Sequence, residues 1–152
     1  MDDLFYMKKA YGLAKRAERI NEVPVGAVIV KDGKIIARGY NRRETGKNAV
    51  YHAELSAIEN ACKKLGGWRL SGCTLYVTLE PCIMCAGAIV NSRVERVVIG
   101  AKDPKSGAFG GIVDVRTLSV NHFPETEFGI EQQACSDILK SFFKKLRERK
   151  RN

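Results

Sequence analysis

Tyr76–Val90 reads YVTLEPCIMCAGAIV. The run CTLYVTLE that leads into it alternates as a strand does, and CIMCAGAIVNS after Pro81 is apolar with short-helix character. A strand that passes through a proline into a helix is one leg of a crossover connection. Two cysteines, Cys82 and Cys85, stand three apart at this junction. Alone they fit a redox pair, half of a structural zinc site, or part of a catalytic one.

Working outward, Leu4 to Ile20 has apolar residues near helical spacing among charged ones, which predicts a first helix. VGAVIVKDGKIIARGY is two β-rich runs around Asp32-Gly33, a strong hairpin signal. A polar loop, NRRETGKNAVYH, leads to AELSAIENACKKLGG, helical and ending at Gly66. Downstream, VERVVIGA reads as a strand and KDPKSGAFGGIVDV as a glycine-rich loop. A long amphipathic helix starts near residue 131. This alternation predicts a layered α/β domain with a mixed sheet: parallel neighbours joined by helices, plus one antiparallel hairpin.

The chain has 152 residues, which predicts one domain over 1–152. Its 45% hydrophobic content suits an ordinary core. No apolar run reaches membrane-spanning length. The N-terminal segment lacks the basic-then-apolar order of a signal peptide, so a cytoplasmic location is expected. The formal charge of +9 points to an anionic partner. From Lys140 onward seven Lys/Arg face Glu148 alone, a net +6, so most of the excess lies in this last stretch. Solvated residues at a helix C-terminus explain such a cluster too, because cations suit that end of the dipole.

Five cysteines at irregular spacing make no disulfide framework. The partners of Cys82 and Cys85 decide between the three readings. No second Cys-x-x-Cys is present, and the histidines are His52 and His122. His52, Cys82 and Cys85 together give zinc three protein ligands, the catalytic count, leaving one position for water. Zinc lowers the pKa of such a water from about 15.7 to about 7. A carboxylate beside the water and off the metal must then move protons, and Glu54, two residues after His52, is the candidate. Cys82 and Cys85 at i and i+3 share a helix face, and Pro81 is expected to open that helix with both thiolates in its first turn. Residues at i and i+2 point apart within a helix. His52 is therefore expected in a non-helical lead-in, with Glu54 in the first turn. Cys62, Cys73 and Cys135 are expected to fill core space, His122 to be a loop residue, and Phe142-Phe143 to pack in the core and a dimer interface.

At these residues the chain resembles the zinc-dependent nucleoside and nucleobase deaminases. His-Ala-Glu at 52–54 and Pro-Cys-Ile-Met-Cys at 81–85 match the H-x-E and P-C-x-x-C signature of that superfamily. NEVPVGAVIV, GYNRRE, HAEL and LYVTLEPCIMCAGAIVNSRVERVVIGAKDPKSGAFGG resemble its tRNA-acting adenosine deaminase branch in bacteria, with local departures at Pro104 and Phe109. The resemblance implies a three-layer cytidine-deaminase-like fold, with a mixed sheet of about five strands. It implies hydrolytic deamination of adenosine to inosine at the wobble position of a tRNA anticodon, an arginine tRNA in bacteria. It further implies a homodimer with one zinc per subunit. Carried onto matching positions, His52, Cys82 and Cys85 are zinc ligands and Glu54 the proton shuttle. Asn41 contacts the nucleoside, Val25 lines the base pocket, and the backbone near Pro81 holds the water or amino group. Lys102 and Asp103, with Arg42, Arg43, Lys47 and Lys105, lie in loops placed to meet the anticodon stem-loop. The basic C-terminal cluster would hold the stem through phosphates.

Two other functions stay open at this point. A deaminase of free guanine, cytosine or cytidine would share the zinc and Glu54, with no evident use for the basic tail. An RNA-binding module with purely structural zinc would leave Glu54 and the fourth coordination position without a role.

Overall fold

The computed structural model describes residues 2–151. Met1 and Asn152, the two ends of the expected 1–152 domain, lie outside the described residues. Helix α1 (Asp3–Arg19) is capped by Asp2, whose carboxylate accepts from the Phe5 amide at 3.0 Å. Strands β1 (Gly26–Lys31) and β2 (Lys34–Tyr40) form the expected hairpin. Asp32 and Gly33 both adopt positive φ, 51° and 73°, the two-residue turn whose twist matches a hairpin. Helix α2 (Ala53–Leu65) ends on Gly66 in the left-handed conformation. Then follow β3 (Cys73–Leu79), α3 (Ile83–Ser92), β4 (Arg96–Ala101), β5 (Glu125–Phe128) and α4 (Gln132–Arg151).

The strands make one mixed sheet in the order β2-β1-β3-β4-β5. The β2–β1 and β1–β3 pairs are antiparallel, and β3–β4 and β4–β5 are parallel. Side chains alternate across it. Ala27, Ile29, Leu75, Val77, Val97 and Ile99 pack with α2 and α3 on one face. Val28, Val30, Tyr76 and Val98 meet Tyr6, Met7 and Ala10 of α1 on the other. On that second face Cys135 of α4 seats against Gly100 of β4. This is the predicted three-layer arrangement. Reading the segments one by one located four strands. The fifth, ETEF, has only four residues and alternates exposed with half-buried, so it carries too little apolar signal to stand out from a loop.

One close approach places α2. A Cβ on Gly39 would sit 2.2 Å from the Ala53 carbonyl oxygen, so only glycine lets the first turn of α2 lie directly on β2. Another departure from expectation concerns α3. It begins at Ile83, with Cys82 as an extended N-cap (φ −72°, ψ 176°), so Pro81 precedes the cap and is not the first helical residue. The chain stays extended because the Pro81 carbonyl accepts from the Ala108 amide at 2.8 Å and Cys82 bridges to Gly107. The buried expectation for the remaining cysteines holds for Cys73 and Cys135. Cys62 is only partly buried.

A charged network ties the ends of the layers together. Arg96 donates two bonds to Asp3, at 2.8 and 2.7 Å, and also meets Glu127, while the Tyr76 hydroxyl donates to Asp3 at 2.7 Å. The Arg96 guanidinium, with Tyr76 assisting against the cost of burial, holds the Asp3 carboxyl down at about 2. The folded protein therefore binds this proton less tightly than the unfolded chain does. The contribution of the network to stability is complete above about pH 4 and is lost as pH falls towards 2. Acid titration of wild-type protein and Asp3→Asn should show the wild-type advantage shrinking through that window; a difference independent of pH would contradict it.

Candidate active site

The N-termini of α2 and α3 converge at the carboxyl ends of the parallel strands β3 and β4, the usual location for ligands in such sheets. His52 is the N-cap of α2 in extended conformation (φ −86°, ψ 153°), and Glu54 lies in the first helical turn, as their spacing predicts. Cys82 is the N-cap of α3 and Cys85 its third residue, two positions whose side chains meet at any helix start. His52 Nδ1 lies 3.6 Å from Cys82 Sγ and 3.7 Å from Cys85 Sγ. The three donor atoms all fall within 4.8 Å of one another. One imidazole nitrogen and two sulfurs in such a cluster fit a tetrahedral metal with one position left over.

The electrostatics follow from the crowding. A hydrogen bond from Cys85, with a second from His52, holds the Cys82 thiol down at about 3. The Cys82 sulfur and burial push Cys85 up, and the contact with Cys82 raises His52. A ready thiolate beside an imidazole is what a borderline-soft cation needs. Glu54 is 4% exposed, and burial, with the Cys82 sulfur adding to it, pushes its carboxyl up to about 7. A carboxyl that titrates near neutrality can both take and give a proton there.

His52, Glu54 and Cys82 lie at the wall of a cavity of about 800 Å³. Val25, Asn41, Lys102 and Asp103 also line it. Asn41 is already engaged: its Nδ2 donates to Val23 O at 3.2 Å, and its Oδ1 accepts from the Arg43 amide at 3.2 Å. Asp103 Oδ1 accepts from the Lys105 and Ser106 amides and so shapes its own loop. Lys102 Nζ lies 5.2 Å from the centre of the Phe128 ring. Pro81 is not among the residues lining the cavity, its carbonyl being occupied by Ala108. His122 is a loop residue whose ring meets Val94 O at 2.6 Å, away from the cysteines.

Three features escaped the sequence reading. Leu139, Phe143 and Leu146, with Lys140, Arg147 and Lys150, form a stripe of α4 along the cavity. Phe142 is buried as expected, but Phe143 is 40% exposed and faces the cavity. The helical spacing of this stripe was visible in the sequence; which side it presents to the site was not. Buried Glu22 and Glu80 each bond to a loop at the cavity mouth. Their donors are mostly backbone amides, which leave no mark on residue type.

With this geometry in view, the comparisons are specific. The MafB19-like deaminase family profile matches residues 1–147. The tRNA-specific adenosine deaminase of Bacillus subtilis (strain 168) is 51% identical over 150 residues, covering 98% of this chain and 93% of its own. A solved structure from work on A-to-I editing by tRNA:A34 deaminases at the wobble position of transfer RNA is 42% identical, with a TM-score of 0.85. That match covers 89% of this chain and 99% of the other. A guanine deaminase from Nitrosomonas europaea is 26% identical with a TM-score of 0.76, over 90% of this chain and 82% of its own. The chain belongs to the MafB19-like deaminase family and, through relatives it matches over nearly their whole length, to the tRNA-specific adenosine deaminases.

Proposed function

We propose that this protein hydrolyses adenosine to inosine at the wobble position of a tRNA anticodon, that of an arginine tRNA, using one zinc ion per subunit. The observation that carries the reading is the joining of two features in one cavity: the His52-Cys82-Cys85 cluster with Glu54, and the basic, Phe143-bearing stripe of α4. A free-base deaminase needs the first and has no use for the second, and an RNA-binding module with structural zinc has no use for Glu54. A splayed anticodon loop presents its base at little unstacking cost, which favours it over duplex.

His52, Cys82 and Cys85 would hold the zinc. Bound there, zinc supplies a water acidic enough to act as nucleophile at neutral pH. Glu54 does the proton work. Its carboxylate accepts a proton from the water and delivers it to N1 of the adenine ring as the oxygen adds at C6. It then passes the remaining hydroxyl proton to the departing amine, so adenosine and water give inosine and ammonia. Asn41, after its two internal bonds, keeps one amide N–H and one oxygen lone pair for the nucleoside. Val25 packs against the base, the backbone on either side of Pro81, at Glu80 and Cys82, abuts the reacting group, and Lys102 and Asp103 contact the loop nucleotides. A second copy of the chain covers Ile83, Ile112 and Leu118, which are 66, 62 and 47% exposed. The domain spans 1–152 and works in the cytoplasm. Among the described residues no helix is long and apolar enough to cross a membrane.

The deciding experiment incubates the zinc-loaded protein with tRNA and, separately, with free guanine, cytosine and cytidine, then sequences the wobble position. Inosine at that position is expected; deamination of free bases alone would overturn the reading. Arg147 and Lys150 make a second prediction. Removing the residues after Phe143 should weaken tRNA binding and reduce the slope of log affinity against log salt by about 1.4–1.8 or more, at least the share of two phosphate contacts. A folded truncated protein with unchanged affinity at several salt concentrations would refute the role of the tail.

A further inference from the structure

We infer that Glu22 and Glu80 are positioning residues for the RNA: a buried carboxylate under each of the two loops at the cavity mouth presets that loop before substrate arrives. The inference rests on the reading of the site as RNA-acting. Glu80 directly follows β3 and is 3% exposed. Its Oε1 accepts from the Asp103 amide at 3.0 Å, and its Oε2 from the Phe109 and Gly111 amides at 2.9 and 3.0 Å. Glu22, between α1 and β1, is 1% exposed. Its Oε1 accepts from the Glu44 amide at 3.0 Å, and its Oε2 from the Thr45 amide and hydroxyl at 2.6 and 2.8 Å.

The two loops are those that carry polar side chains to the cavity. The 102–111 loop brings Lys102, Asp103, Lys105 and Ser106, and the 41–51 loop brings Asn41 and Arg43 and ends at His52. The 41–51 loop is polar; the 102–111 loop is polar and glycine-rich except for Ala108 and Phe109, which anchor it in the core. The bonds to the two carboxylates therefore set the shape of the remaining, polar stretches. The fit around Glu80 is tight. A Cβ on Gly107 would lie 2.1 Å from Glu80 Oε2, and one on Gly111 would lie 2.3 Å from Asp103 O. The loop is wrapped on the carboxylate, and glycine is what lets it wrap. A loop ordered in advance spares binding the entropy of ordering it. Loosening either loop should therefore act on KM. The kcat should change less than KM, because Glu54 and Cys85 stand in the first turns of α2 and α3, although His52 closes one loop and Cys82 bridges to Gly107 of the other.

The test is steady-state deamination of an anticodon stem-loop by zinc-loaded Glu80→Gln, Glu22→Gln and Thr45→Val. The last removes only the hydroxyl bond to Glu22, from an exposed loop position. Each Gln variant turns an amide N–H₂ towards backbone donors. Expected are a rise in KM of about tenfold for the Gln variants and about threefold for Thr45→Val, with kcat within about threefold and zinc content unchanged. An unmoved KM, or kcat and zinc falling together at constant KM, overturns the inference. Hydrogen exchange on the wild-type protein without RNA needs no variant to fold. The amides of Glu44, Thr45, Phe109 and Gly111 should be protected by about 100-fold or more, and exchange at open-chain rates overturns the clamps. A wild-type protein inert on RNA overturns the functional reading itself; an active one with unmoved KM overturns only the positioning role.

Discussion

Glu54→Gln lowers the rate of inosine formation by about 10³-fold or more while the protein keeps its fold and its metal. The size follows from what the side chain is asked to do. General acid–base catalysis by one positioned group is worth about 10²–10⁴-fold, and in the proposed mechanism the same carboxyl serves more than one transfer. The amide has the shape of the carboxyl but neither takes up nor gives up a proton near neutral pH. Stability should not suffer, because Glu54 is 4% exposed and burial already works against its charged form, which the amide removes. Metal content should not change either, since the donor cluster is His52, Cys82 and Cys85. Single-turnover rates on a stem-loop, with zinc measured on the same sample, separate chemistry from binding. A rate within about tenfold of wild type would remove Glu54 from the proton path.

How much of this could be read from the sequence depends on the kind of interaction. Asp32-Gly33 announces its hairpin because the turn demands positive φ, a property of residue type. His52 and Glu54 announce the start of α2 because i and i+2 point apart within a helix, so ahead of a run that reads as helical they face one point when the first lies in an extended lead-in. The Cys82–Cys85 spacing announces a shared face for the same geometric reason. Pro81 misled, since a proline before a helix suits more than one position, and the bridge from Cys82 to Gly107, 25 residues on, decided which it took. Strand β5 was hidden by its brevity. The stripe of α4 was legible as an amphipathic face, but what it faces depends on where Cys135 docks on β4, a tertiary fact. Glu22 and Glu80 were the least legible. A buried carboxylate held mostly by backbone amides looks, in sequence, like any surface glutamate.

Cys85→Ala should lose the metal and, with it, activity down to the uncatalysed level, in a protein that still folds. Of the three donors, Cys85 is the fully buried one, at 0% exposure. Losing partners that merely orient ligands costs metal affinity about 10–100-fold, so losing a thiolate ligand itself should cost more than about 100-fold. The fold should survive because the two apolar clusters that join sheet to helices are built from Ile29, Leu75, Ile99, Val28, Tyr76 and their neighbours, not from the donors. In the proposed site the metal is a ligand of a fold that its core already holds together, so its removal should lower the melting temperature by mass action without abolishing cooperative unfolding. Wild-type protein stripped by a chelator gives the matched control. It should fall silent, recover when zinc is added back, and keep its far-ultraviolet circular dichroism throughout. Cys85→Ala at the same zinc concentration should stay silent. Full activity in the stripped wild-type protein, or in Cys85→Ala, would mean that the cluster at the starts of α2 and α3 does not hold the catalytic metal.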